Sequence, residues 1–232
     1  MRSEGFKKVV VVAAHPDDEV LGCGGTIARL AREGTDIHIV ILGEGISSRY
    51  DRRSQADQRA LRKLQRDARA AGTLLGAASM TFEGLPDNRF DELPLLDVVK
   101  RVERRISEVN PETIFTHHPG DLNVDHRTTF HAVLTATRPV NGCRVREIYT
   151  FEVPSSTEWA FQQLQPAFKP NMFVDITSTV EMKIKGMLHY ESESREFPHP
   201  RSTEALRTIS RRWGSVVGLE YAEAFELVRA IR

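Results

Sequence analysis

Apolar runs and segments of helical periodicity alternate along the first half of the chain. Residues 8–14 (KVVVVAA) form a continuous β-branched run, which is typical of a strand buried on both faces of a parallel sheet. Residues 36–42 (DIHIVIL), 79–82 (SMTF) and 113–116 (TIFT) are the next predicted strands. Between the strands, apolar residues recur at helical spacing in residues 22–33, 55–71 and 95–109. This order predicts an α/β fold with a Rossmann-like, mostly parallel sheet flanked by helices.

The second half of the chain is less regular. Residues 146–153 and 172–176 are predicted strands, and residues 178–190, 202–213 and 220–231 are predicted helices. The sequence contains no internal repeat, low-complexity tract or obvious linker, so residues 1–232 are interpreted as a single domain.

The charge balance narrows the classes of partner. The 232 residues carry 32 Lys and Arg against 32 Asp and Glu, so no net field attracts nucleic acid, and no nucleic-acid partner is expected. The first residues lack the hydrophobic stretch of a signal peptide, and no apolar run reaches membrane-spanning length. These features predict a cytoplasmic protein without an integral membrane segment. Two cysteines are too few for a disulfide framework or a cysteine zinc site.

Residues 49–69 are a local exception, because Arg and Lys outnumber Asp there. This segment is either a solvated helix face or a basic wall for a phosphorylated or nucleotide-linked substrate.

Candidate chemistry is concentrated in two segments that follow predicted strands. Residues 14–19 (AHPDDE) follow the first strand, and residues 117–126 (HHPGDLNVDH) follow the fourth. The carboxyl ends of parallel strands meet at one edge of a sheet, so we expect these side chains to form one site.

Two imidazoles and one carboxylate, with a position left for water, form a common catalytic zinc set. His15 and His126 can supply the imidazoles, while either Asp17 or Asp18 can supply the carboxylate. The other aspartate would then be the general base that prepares water to attack an amide carbonyl. Helix capping is the alternative explanation for these acids, but it does not account for histidines after two strands.

Several segments resemble the LmbE/PIG-L-type N-acetylglucosaminyl deacetylases, in the branch that acts on bacterial sugars. The similarity lies in AHPDDE and the following GCGGT turn, in THHPGDLNVDHR, and in the C-terminal PHPRS and YAEAF stretches. The resemblance implies a zinc-dependent hydrolase that removes the N-acetyl group from an amino sugar or sugar conjugate and releases acetate. It also implies a homo-oligomer.

Carried over residue by residue, the resemblance implies that His15, Asp18 and His126 bind zinc, although their chemistry also suits iron(II). It implies that Asp17 is the general base and that Asp125 orients an imidazole. The sequence departs from the family at Asn123, where several members have a histidine. An amide can donate a hydrogen bond to an oxyanion but not a proton, so the acid is left open between Asp17 and His117 or His118.

Substrate contacts are expected at the same edge of the sheet, where Pro, Asp and Asn are also ordinary turn residues. The predicted contacts are Arg49, Asp87, Asn88 and Arg201, with Arg89 and His199 as further candidates. Glu223 is interpreted as a charge on a helix face.

Three other functions are compatible with parts of the sequence. A dinucleotide-binding module would use Gly22, Gly24 and Gly25, but Ile27 occupies the position where the fingerprint requires another glycine. A phosphoesterase would need more bridging carboxylates than the sequence offers. A non-catalytic sugar-binding protein would have no need of Asp17.

Overall fold

The computed structural model describes residues 6–140 and 142–232. The strands are β1 (Lys8–Ala13), β2 (Asp36–Gly43), β3 (Ser79–Leu85), β4 (Thr113–His117), β5 (Glu147–Phe151), β6 (Met172–Asp175) and β7 (Ala222–Ala230). The helices are α1 (Asp18–Arg32), α2 (Gln58–Leu75), α3 (Leu95–Val109), α4 (Val124–Ala136), α5 (Val180–His189) and α6 (Thr203–Val217). Short 3₁₀ turns occur in the connecting segments.

All these strands belong to one seven-stranded sheet in the order β3-β2-β1-β4-β5-β7-β6. The pairs from β3 to β5 are parallel, whereas β7 pairs antiparallel with both β5 and β6. The predicted mostly parallel α/β sheet is therefore confirmed. The strand order reverses between β1 and β4, and ligand sites of open α/β sheets form at such a switch point.

Two hydrophobic clusters cover the two faces of the sheet. Val9, Val11 and Ala13 of β1 belong to one cluster, which includes apolar residues of α1, α2 and α5. Val10 and Val12 belong to the other cluster, which includes residues of α3 and α4. Because β1 is buried on both faces, its sequence is apolar at consecutive positions and not at alternate ones.

The prediction of a helix over residues 220–231 is wrong, because Ala222–Ala230 form β7. Ala, Glu and Leu are good helix formers, so the local sequence favours a helix. In the fold this segment lies between β5 and β6 and pairs with both strands. Tertiary pairing therefore overrides local propensity here.

The interpretation of Glu223 as a charge on a helix face is also wrong. Its side chain is buried on β7 and accepts hydrogen bonds from the backbone N–H groups of Gly25 and Thr26 at 3.0 and 2.6 Å. It also accepts one from the Lys183 ammonium group at 2.6 Å. The carboxylate thus joins β7 to a kink in α1, where Cys23 has non-helical φ and ψ.

Helix α1 begins at Asp18, before the predicted start at Gly22. The glycines of this segment therefore lie inside a helix. A Cβ atom on Gly22 would collide with Phe151, and one on Gly25 would lie 2.8 Å from Cδ1 of Ile176. These glycines permit close packing of α1, which explains them without a phosphate-binding turn.

Within the described part of the chain, every helix is too short or too polar to span a lipid bilayer.

Candidate active site

The turn between β1 and α1 directs two adjacent carboxylates to different places. The backbone N–H of His15 donates to Oδ2 of Asp18 at 2.7 Å, which closes the turn. Asp17 has a left-handed backbone with φ of 107°, and its N–H donates to Oε2 of Glu19 at 3.2 Å. As a result Asp18 faces the histidines, whereas Asp17 faces Arg201.

His15, Asp18 and His126 form a compact group of potential metal ligands at the switch point. Oδ2 of Asp18 lies 3.4 Å from Nδ1 of His15 and 3.3 Å from Nε2 of His126. One ligand atom of each residue lies within 4.8 Å of the others. The two imidazoles and the carboxylate suit a divalent cation that keeps a position for water.

Both histidines also have a buried carboxylate on the side facing away from Asp18. Nε2 of His15 lies 2.9 Å from Oδ2 of Asp125, and Nδ1 of His126 lies 3.1 Å from Oδ1 of Asp121. Metal-binding histidines commonly donate their second N–H to a carboxylate, which leaves the other nitrogen free for the ion. The donor set therefore fits a divalent cation. Asp125 faces the imidazole of His15 and not that of its neighbour in sequence, His126.

These buried groups shift one another's pKa values. Burial lowers the pKa of His126, but the carboxylates of Asp18 and Asp121 outweigh burial and raise it to about 9. Burial also lowers the pKa of His15, yet hydrogen bonds to Asp125 and Asp18 raise it well above its usual value. Without a cation, the carboxylates thus keep protons on the imidazoles. A divalent cation must displace these protons when it binds.

Asp17 has a position and an environment that suit a general base. Burial raises the pKa of Asp17 well above its usual value, and the carboxylates of Asp18 and Glu193 add to this effect. The Arg201 guanidinium donates a hydrogen bond to Asp17 at 2.9 Å and opposes the rise. A raised pKa makes the ionised carboxylate a stronger proton acceptor at neutral pH.

A cavity of about 200 Å³ opens beside these groups. The predicted ligands, base and substrate contacts that line it are His15, Asp17, Asp18, Arg49, Asp87, Asn88, Asn123, His126 and Arg201. Asp125 is fully buried behind His15, where backbone N–H groups of Asn88 and Phe90 donate to its carboxylate at 2.6 and 2.9 Å.

A chain of hydrogen bonds connects the polar wall of the cavity. Oδ1 of Asn123 caps α4 by accepting from the N–H of Asp125 at 2.8 Å, and its Nδ2 donates to Oδ1 of Asn88 at 2.9 Å. Nδ2 of Asn88 donates to the Ser48 hydroxyl at 3.2 Å, which in turn donates to Asp87 at 2.6 Å. The wall therefore presents amide and hydroxyl groups whose orientations are fixed.

His117 and His118 lie outside the lining of this cavity. Nε2 of His117 accepts from the backbone N–H of Ala14 at 2.8 Å, and burial lowers its pKa well below the usual value. Nδ1 of His118 accepts from the N–H of Gly120 at 3.1 Å. Both rings serve the local structure, so their positions do not support a shared acid role.

Arg89 and His199 also lie outside the lining of the cavity. Arg89 pairs with Glu92 at 3.2 Å, and the ring of His199 packs on Trp159 at 5.7 Å between centroids. Among the described residues 49–69, Arg49 is the basic residue that lines the cavity. Arg59, Arg62 and Arg66 are exposed on α2, as expected for a solvated helix face.

Several residues around the site were not identified from the sequence. Asp121 stands within the second motif, so its contact with a ligand could have been suspected from its spacing. Glu193 lies in an irregular segment without a motif, yet it lines the cavity between Arg49 and Arg201. Ser155 and Ser156 line the cavity from the loop after β5. No pattern in the sequence indicated Glu193 or these serines.

The family model described as GlcNAc-PI de-N-acetylase (PIG-L) matches residues 10–137, which contain both motifs of the site. The chain belongs to the PIG-L family. This membership agrees with the resemblance noted in the sequence and with the arrangement of His15, Asp18 and His126.

Curated relatives of this PIG-L chain include enzymes of different names. Diacetylchitobiose deacetylase of Thermococcus kodakarensis is 30% identical over 97% of this chain and 84% of the relative. A 1D-myo-inositol 2-acetamido-2-deoxy-alpha-D-glucopyranoside deacetylase of Mycobacteroides abscessus is 31% identical over 78% of this chain and 75% of the relative. The 4-oxalmesaconate hydratase of Pseudomonas putida is 31% identical over 96% of this chain and 89% of the relative.

Solved structures share the fold of this PIG-L chain. The N,N'-diacetylchitobiose deacetylase of Pyrococcus horikoshii has a TM-score of 0.77 and 23% identity, and the match covers 97% of this chain and 84% of that one.

Proposed function

We propose that this PIG-L protein is a metal-dependent hydrolase that removes the acetyl group from the nitrogen of an N-acetylated amino sugar or sugar conjugate. The observation that carries the proposal is the position of Asp17, which lines the same cavity as His15, Asp18 and His126. The names of the family and of two relatives, which refer to deacetylation of N-acetyl sugars, support the reaction class.

His15, Asp18 and His126 are the residues that would hold the cation, with Zn²⁺ or iron(II) suiting the donor set. A cation there supplies a Lewis acid that polarises the acetamide carbonyl and makes water more acidic. Asp125 and Asp121 keep the two imidazoles oriented through their outer nitrogens.

Asp17 takes the proton from the water that attacks the carbonyl carbon. The protonated Asp17 then donates to the sugar nitrogen as the C–N bond breaks, so that acetate and a free amine are released. Arg201 holds the Asp17 carboxylate in place through its bond of 2.9 Å. The second N–H of the Asn123 amide, beyond the one bonded to Asn88, is a donor for the developing oxyanion.

The hydroxyl and amide groups on the cavity wall suit a sugar. Ser48, Asn88 and Asn123 present hydroxyl and amide groups that can exchange hydrogen bonds with ring hydroxyls.

A second candidate reaction is the one for which the Pseudomonas putida relative is named, a hydratase reaction. It is considered because that relative is 31% identical over 96% of this chain. Both reactions activate water. They differ in the bond of the substrate that the water attacks.

The experiment that tests the proposal measures acetate release from N-acetylated sugars and sugar conjugates by protein of known metal content, with and without chelator. Asp17→Asn should keep the metal and lower kcat by about 10²- to 10⁴-fold. Acetate release that is insensitive to chelator, or an Asp17→Asn variant with a normal rate, would refute the mechanism. Absence of acetate with turnover of 4-oxalmesaconate would favour the hydratase.

A further inference from the structure

Glu193 lies between two arginines on the wall of the candidate active site. Glu193 is 5% exposed, and its carboxylate accepts from Nη2 of Arg49 at 2.7 Å to each oxygen. It also accepts from Nη1 of Arg201 at 3.2 Å, the same nitrogen that donates to Asp17 at 2.9 Å. One buried carboxylate therefore engages both guanidinium groups.

These arginines are the groups that would otherwise select an anion. Among the described residues that line the cavity, Arg49 and Arg201 are the only ones with a guanidinium or ammonium group. Both already have carboxylate partners, and the Asp87 carboxylate lies on the same wall. A phosphate or carboxylate on the substrate would have to displace Glu193 and would be repelled by it.

The hydroxyl and amide groups that line the cavity suit uncharged partners. Ser155 and Ser156 contribute hydroxyl groups, in addition to the Ser48 hydroxyl and the Asn88 amide. The Ser155 hydroxyl accepts from Nε of Arg201 at 2.7 Å, which fixes the guanidinium in its place between Asp17 and Glu193. The arginine is thus held by the protein on several sides before any substrate arrives.

We propose that Glu193 is a specificity-determining residue, which makes this cavity select uncharged N-acetyl sugars over those that carry a phosphate or carboxylate group. The proposal rests on the deacetylase function proposed above. Glu193 acts by occupying Arg49 and Arg201, and by adding a negative charge where an anionic substituent would lie. Without this charge, Arg49 becomes a free anion-binding group.

The test compares wild-type protein with Glu193→Gln, at equal metal content. The substrates are methyl N-acetylglucosaminide, N-acetylglucosamine 1-phosphate and N-acetylglucosamine 6-phosphate. The wild type should prefer the neutral sugar in kcat/KM, and Glu193→Gln should reduce that preference by about tenfold to a hundredfold, through a lower KM for the phosphates.

A matched control removes the same charge from a nearby position. Glu191 is two residues away, its side chain is 74% exposed, and it pairs with Lys63 at 3.0 Å outside the lining of the cavity. Glu191→Gln should keep the wild-type preference. Equal loss of preference in both variants would attribute the effect to net charge and overturn the proposal.

A double-mutant cycle with Arg49→Met tests whether Arg49 is the arginine through which Glu193 acts. If Glu193 occupies Arg49, Arg49→Met in the wild type should change the ratio of kcat/KM for the phosphorylated and neutral sugars by less than about twofold. In the Glu193→Gln background, Arg49→Met should return this ratio to the wild-type value. Calorimetry with inorganic phosphate measures the same effect without turnover, and Glu193→Gln should bind phosphate about tenfold more tightly.

The outcomes separate this inference from the proposed function. Deacetylation of the sugars with a wild-type preference for phosphates, or with an unchanged preference in Glu193→Gln, would overturn the role of Glu193 and leave the deacetylase function standing. Absence of acetate release from every sugar would refute the deacetylase function, and the phosphate calorimetry would still decide whether Glu193 silences Arg49.

Discussion

Nδ1 of His126 lies 3.1 Å from Oδ1 of Asp121, while Nε2 of the same ring faces Asp18 at 3.3 Å. Asp121 is itself held by the hydroxyl groups of Ser156 and Thr157, the latter at 2.6 Å to Oδ2. Its carboxylate therefore cannot turn away from the imidazole. In this position it keeps a proton on Nδ1 and leaves the lone pair of Nε2 directed at the cation site.

Asp121→Asn should lower the affinity for Zn²⁺ by about 10- to 100-fold, since the neutral amide no longer fixes the Nδ1 proton. Competition with a chromogenic chelator measures this affinity. Asp67→Asn is the control, because Asp67 pairs with Lys63 at 2.8 Å on α2 and has no contact with the histidines. An Asp121→Asn protein with wild-type affinity would show that Asp121 has no part in orienting the ligand.

The raised pKa of His126 predicts a particular pH dependence in the metal-free protein. A histidine whose pKa rises from 6.5 to about 9 on folding stabilises the protein fully below pH 6.5, and this contribution is lost as the pH rises to about 9. The free energy of unfolding of metal-free protein should therefore fall over this interval, by an amount on the order of a few kcal/mol. Urea unfolding at several pH values measures it.

The affinity for the cation should show the opposite dependence on pH, and its measurement provides the control. Because the cation must displace protons from His126 and His15, its affinity should rise with pH, by about tenfold per pH unit for each proton released. Calorimetry in buffers of different ionisation enthalpy counts the released protons. Metal binding without proton release would contradict the charge assignment of these histidines.

The parts of the structure that could be predicted are those in which one local pattern has one consequence. The apolar run of β1 requires a strand buried on both faces, and the segments after β1 and β4 must then meet at the same edge. This reasoning predicts that His15, the Asp17–Asp18 pair and His126 share one site, and the structure places them around one cavity. Adjacency in a tight turn also predicts that Asp17 and Asp18 point in different directions, as they do, whereas the choice of Asp18 as the ligand was implied by the family resemblance.

The parts that could not be predicted depend on long-range contacts. Glu193 enters the cavity because it follows α5, which packs beside α1, and no periodicity in residues 191–201 indicates this position. Residues 220–231 have a composition that favours a helix, yet the space between β5 and β6 requires a strand. In both cases the deciding partner lies far away in the sequence.

The buried position of Glu223 leads to a prediction about stability. Glu223→Gln should lower the free energy of unfolding by about 3–5 kcal/mol, because it leaves the buried Lys183 ammonium without a charged partner. Thermal and urea unfolding measure the change. Glu220→Gln, at an exposed position beside the same strand, should change stability by less than about 0.5 kcal/mol. A Glu223→Gln variant with wild-type stability would mean that the Lys183–Glu223 ion pair adds nothing to stability.

The strained backbone of Asp17 is held by a chain of hydrogen bonds that reaches the core. A non-glycine residue with φ of 107° costs about 1–3 kcal/mol, so the surrounding structure must stabilise it. The N–H of Asp17 donates to Glu19, and the hydroxyl group of Tyr190 donates to the other oxygen of the same carboxylate. Tyr190 is fully buried at the end of α5, so this chain of bonds connects the candidate base to the core.

Tyr190→Phe removes the hydroxyl group that donates to Glu19 and should lower kcat about tenfold, because Asp17 is held less accurately, with KM and metal content nearly unchanged. Tyr149→Phe is the matched control, because Tyr149 is also buried and donates to a carboxylate, that of Glu147, at 3.0 Å. Both substitutions should lower the free energy of unfolding by about 1–3 kcal/mol, since each leaves one oxygen of a buried carboxylate without its hydroxyl donor. Only Tyr190→Phe should lower kcat, because Glu147 stands at the start of β5, away from the carboxyl ends of the strands. An equal loss of kcat in the two variants would show that Tyr190 acts only through the stability of the fold. Added metal should not restore the kcat of Tyr190→Phe.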